Sequence, residues 1–77
     1  MNVLREMVES IVDRDGWTAK EKIDELFRID CRLYTNLGID STDQERDLVR
    51  KTSRYIYEKI QTIDKNIGDQ LLKSIDL

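Results

Sequence analysis

The chain contains no histidine and no proline, and it has one cysteine and three glycines. Each absence closes off a class of function. Without histidine, the usual general base near neutral pH and the commonest metal ligand are both missing. One thiol, Cys31, builds neither a disulfide framework nor a thiolate zinc site. Two of the glycines are set at expected helix ends and the third stands alone, so no phosphate-cradling loop is present. The acidic stretch Asp40 to Asp47 lacks the central glycine and terminal glutamate of a calcium loop. No apolar run approaches the ~20 residues needed to span a bilayer. The amino-terminal residues carry Glu6 and Glu9 and have no signal-peptide core. The expectation is a non-enzymatic, cytoplasmic protein with no catalytic residues, no metal, no cofactor and no membrane contact.

With 77 residues, the chain can form one domain at most. Hydrophobic residues make up 39% and charged residues 38%. That is too apolar for a disordered chain, yet it leaves a core with little stability to spare. The net charge of -3 is unevenly placed. Residues 39–47 are acidic and residues 48–61 basic, an order that complements the dipole of a single helix.

Apolar residues recur at spacings of three and four, the helical period. Val3, Leu4, Met7, Val8, Ile11 and Val12 predict a first helix over about 2–14, stopped near Gly16 by a left-handed glycine. Thr18 and Glu21 have capping-box spacing, with Trp17 before them as a staple residue. They open a second helix over about 19–37, its face formed by Ala19, Ile23, Leu26, Phe27, Leu33, Tyr34 and Leu37, and Gly38 is expected to end it. Thr42 with Glu45, or Ser41 with Gln44, opens a third. Its seam runs Val49, Ile56, Ile60, Ile63, Ile67, Leu71 and continues to Ile75. Gly68 interrupts the seam at about 1 kcal/mol. The unbroken stripe favours one long helix over 42–75, and a break at Gly68 with Asp69 recapping a last turn is the alternative. Short loops make neighbouring helices antiparallel. The predicted architecture is therefore all-α, an antiparallel three-helix bundle with a long C-terminal helix.

Asp30 falls near the centre of the second helix's apolar face, and Ser53 breaks the seam of the third. A carboxylate so placed must be paired or hydrogen-bonded. Ser53, Tyr34, Tyr57 or an arginine could serve inside the bundle, or a partner's cation could do so in a seam. Cys31, beside Phe27, reads as a buried small apolar group. Arg46, Arg50 and Arg54 form a line at spacings of four, with Tyr57 continuing the same face. Three arginines in line repel one another, and arginine is enriched where proteins bind anionic groups. Tyr55 reads as an exposed aromatic near Leu48. Together these residues suggest a partner-binding surface for another protein with an acidic face. Nucleic acid fits less well, because the first turn of the third helix is acidic. Ile60, Ile63, Ile67 and Leu71 form a stripe longer than the first two helices could cover, which suggests a homodimer seam. The expected function is that of a small protein-binding adaptor or regulator acting through a helical surface. A structural subunit of a homo-oligomer is the alternative.

Overall fold

The computed structural model describes residues 3–76 and contains four helices: α1 (Val3–Val12), α2 (Ala19–Thr35), α3 (Asp43–Ile63) and α4 (Lys65–Asp76). The expected start of the first helix at Asn2 lies outside the described residues. Both threonine capping boxes form. Thr18 accepts the Glu21 N–H at 3.2 Å while Glu21 accepts the Thr18 N–H at 2.9 Å. Thr42 and Glu45 repeat the arrangement at the start of α3. Each box satisfies two of the amides that a helix start leaves without partners.

The helix ends differ from the expected glycine stops. Among the described residues no glycine has positive φ. α1 ends at Val12, whose carbonyl accepts from the Lys22 ammonium at 2.8 Å, so a cation from the next helix caps it. α2 ends at Thr35, three residues before Gly38. The Thr35 hydroxyl bonds back to the Arg32 carbonyl at 3.0 Å, and Asn36 closes the turn. Gly38 instead ties the loop, donating to Ser41 Oγ at 2.8 Å and accepting the Ser41 N–H at 3.1 Å.

The single long C-terminal helix is overturned, and the three-helix bundle with it. The chain leaves α3 at Asp64, whose backbone is extended (φ -142°, ψ 105°). The Asp64 carboxylate accepts the Ile67 N–H at 3.2 Å, and its carbonyl accepts the Gly68 N–H at 3.0 Å. Asp64 is thus the N-cap of a new helix. Gly68 lies beyond the break and allows α4 to close onto α3. A Cβ on Gly68 would stand 2.6 Å from the Gln61 backbone nitrogen, so only a glycine fits. Gln61 Nε2 also donates to Asp69 Oδ1 across the same corner. Removing the cap with Asp64→Ala is expected to cost about 0.5–2 kcal/mol. Hydrogen exchange should show the α4 amides losing protection ahead of those in α2. Equal protection in the variant would show that Asp64 does not hold the corner.

The core is built from Val8 and Ile11 of α1, Ile23, Leu26 and Ile29 of α2, and Ile56 and Ile60 of α3. α4 adds Ile67 and Leu71 at its margin. The closest helix pairings are α3 with α4 and α2 with α3. Among the described residues no helix is long and apolar enough to cross a membrane.

Candidate functional site

The register of α1 determines what the fold leaves open. Arg5 lies over the Tyr55 ring at 4.6 Å, and Glu9 lies 3.9 Å from Lys59. Both pairs have the same sequence offset, so α1 runs parallel to α3 and Val3 stands abreast of Ser53. Residues 43–52 of α3, about 15 Å of helix at 1.5 Å per residue, therefore extend past α1. On this stretch and the turn before it, apolar side chains lie outside the core. Ile39 is 98% exposed, Leu48 65% and Tyr34 46%, while Leu37 and Val49 are half-buried. Ile39, Leu48 and Tyr34 thus lie uncovered at the α2–α3 end of the molecule, while Val3 (59%) and Met7 (45%) are exposed along α1. The expected overhang was at the opposite end, in the C-terminal half of the third helix. There Ile60 is fully buried, and Ile63, Ile67 and Leu71 are half-buried against the chain's own core.

The arginines lie on the side of α3 turned away from Leu48. Arg46, Arg50 and Arg54 are all exposed on α3. Arg46 and Arg50 share a shallow groove of about 240 Å³ with Asp43 and Asp47. Asp47 pairs with Lys51 at 3.1 Å. Tyr55 and Tyr57 do not share a surface with each other, because two residues on a helix point about 200° apart. Tyr55, read from the sequence as exposed, is half-buried against α1 between Arg5 and Lys59. Burial raises its pKa above the ordinary value, and the neighbouring Glu9 carboxylate adds to the shift. Cys31, read as buried, is exposed. Its position on α2 falls outside the arc that meets the other helices.

Asp30 and Ser53 lie inside the bundle, 5% and 0% exposed. Ser53 Oγ donates to Asp30 Oδ1 at 2.6 Å, and the Tyr57 hydroxyl donates to Asp30 Oδ2 at 2.7 Å. Two α3 hydroxyls thus bind one α2 carboxylate. Among the described residues no buried side-chain polar atom lacks a partner. The arrangement ties α2 to α3 just below the open end and sets their relative register.

Burial pushes the Tyr57 phenol up to about 12, with the Asp30 charge and hydrogen bond acting in the same direction and the Ser53 hydrogen bond against it. The phenol is therefore harder to ionise in the folded chain than at its ordinary value near 10. Its contribution to stability is complete below pH 10 and is lost as pH rises through about 12. The expected result is alkaline unfolding in that window, accompanied by tyrosinate absorbance, with Tyr57→Phe removing the late-titrating phenol. Three tyrosines titrating together near pH 10 would contradict it.

Two further grooves of about 280 Å³ flank α2, one against Val3 and Met7 of α1 and one against Ile67 of α4. Among the described residues no group of three metal-ligating side chains converges. No family model, curated protein or solved structure matches the chain.

Proposed function

We propose that this chain is a small protein-binding module that acts by contact, not catalysis, through the uncovered α2–α3 end. One observation carries the reading: Ile39 and Leu48 are exposed to 98% and 65% in a domain with few apolar side chains to spare for its core. Exposed apolar groups grouped at one end are a common mark of an interaction site. Arg46 and Arg50 stand two residues to either side of Leu48 on α3 and so point to the opposite side of that helix, outside this site. Arg54 and Tyr57 continue the Arg46 and Arg50 side of α3, away from Leu48.

The test is a pair of substitutions at exposed positions outside the core. Ile39→Asp with Leu48→Asp should leave the helical signal and melting temperature within error of the parent chain. The same variant should lose a partner that the parent captures from its source cell. Arg46→Glu with Arg50→Glu, on the side of α3 turned away from Leu48, should leave that capture unchanged. Unchanged capture by the Ile39/Leu48 variant overturns the reading. Capture of the chain by itself alone would make it a homo-oligomer subunit instead.

A further inference from the structure

From the α1 register we infer the form of the partner: an amphipathic helix of about three turns with acidic flanks, seated end-on to α1 in the groove between α2 and α3. The inference rests on the protein-binding reading above and specifies what is bound.

The groove already holds a helix over its lower half. α1 buries Val8 and Ile11 there and sets Glu9 toward Lys59 on the α3 rim. Above Val3 the same groove continues without an occupant among the described residues. On α3 the positions that face α1 recur as Leu48, Thr52, Tyr55 and Lys59, the spacing of one helix side. The lower two, Tyr55 and Lys59, meet Arg5 and Glu9. Of the upper two, Thr52 turns its hydroxyl back to the Leu48 carbonyl at 2.8 Å, so it asks for no polar partner. Leu48 is left as a bare apolar seat, and Leu33 of α2, half-buried on the core, stands on the other wall. A surface that packs one helix and continues with unchanged spacing and apolar character accepts a second helix in line with the first. The roughly 15 Å available admits about ten residues.

Charge selects among such helices. The α2 positions facing α1 run Lys22, Glu25, Ile29 and then Arg32 on the upper wall. Arg32 is exposed, and no ion pair engages it among the described residues. Lys51 stands on the opposite rim, paired with Asp47 at 3.1 Å. Both rims therefore present a cation to an occupant, as Lys59 does to Glu9 of α1. A helix with aspartate or glutamate on its flanks and leucine-type residues between them satisfies both walls.

The experiment is a selection from a displayed library of amphipathic helical peptides, with the full chain as bait. Enriched peptides should carry acidic residues flanking an apolar face and shift the amide resonances of Leu33, Leu48 and Thr52. Arg32→Glu should weaken them about tenfold, and selection on that variant should favour lysine or arginine at the flank. Enriched peptides with no acidic bias, or with affinity indifferent to Arg32→Glu, overturn the acidic helix. If such peptides still fail on the Ile39→Asp/Leu48→Asp variant, the protein-binding reading survives alone. If they bind that variant unchanged, both fall. Salt-sensitive binding of duplex DNA in place of any peptide would also overturn the proposal.

Discussion

Gly68→Ala is expected to destabilise the chain although alanine is the better helix former. Two effects of opposite sign meet at this position. Replacing glycine by alanine inside a helix normally gains about 1 kcal/mol. Against that, the new Cβ would stand 2.6 Å from the Gln61 backbone nitrogen, with the Gln61 Cα and Cβ also inside contact distance. Real side-chain carbons do not approach backbone so closely, and backbone cannot swing aside as a long side chain can. α4 would have to lift off α3, and overpacking of this kind costs about 1–3 kcal/mol or more. The steric cost exceeds the propensity gain, so the denaturation midpoint should fall. Gly68→Leu should go further and release α4 altogether. That would expose Ile67 and Leu71, now packed at the core margin, while α1 to α3 keep their own core. The checks are chemical denaturation together with residue-resolved hydrogen exchange. For Gly68→Leu the amides of α4 should exchange freely, while those around Leu26 and Ile56 stay protected. A Gly68→Ala variant as stable as the parent would show that α4 does not sit where the structure places it.

The same corner shows where sequence reading stops. Apolar spacing alone cannot distinguish one long helix from two helices joined by a single residue. Ile60, Ile63, Ile67 and Leu71 keep the helical period straight through Asp64. The break rests on one aspartate in extended conformation, whose cap lacks the reciprocal glutamate that marked Thr18 and Thr42 so plainly. Glycine was visible, but its role was not. Gly68 reads as a weak point in an isolated helix, whereas its function is to let two backbones touch, which depends on a contact seven residues away. The position of the open surface was lost for a related reason. Helix lengths show that something must overhang. Which end overhangs depends on how α1 slides along α3, which Arg5 on Tyr55 and Glu9 beside Lys59 mark in the folded chain. Neither pair has any sequence signature. Cys31 and Tyr55 were misplaced because small angular differences near the edge of a helix face decide exposure. Asp30 and Ser53 stood out because a polar residue at the centre of an apolar face interrupts a pattern, and interruptions are what periodicity reveals best.

Asp30→Ala is expected to be among the most disruptive single changes to the bundle, for a reason distinct from cavity formation. The carboxylate accepts from Ser53 at 2.6 Å and from Tyr57 at 2.7 Å, and Ser53 has no exposed surface. Without Asp30 the buried Ser53 hydroxyl loses its charged acceptor and keeps only the weaker contact with Tyr57, and loss of a hydrogen bond to a buried charged group costs about 1–3 kcal/mol. Tyr57 is half-buried and can rotate toward solvent, so its loss is the smaller part. A total of about 2–4 kcal/mol is a large fraction of the roughly 4–12 kcal/mol that a chain of this length typically holds. Asp30→Asn retains one acceptor oxygen for Ser53 and should cost less. Asp30→Leu combined with Ser53→Ala replaces both members of the buried pair by apolar groups and should recover much of the loss, as apolar replacement of buried polar partners often does. Tyr57 supplies an independent readout. Its elevated pKa comes first from burial but also from the Asp30 charge and hydrogen bond. In Asp30→Ala its titration should therefore shift down from about 12 toward the ordinary tyrosine value while the remaining fold is intact. An unchanged Tyr57 titration together with an unchanged denaturation midpoint would mean that the two α3 hydroxyls do not depend on this carboxylate.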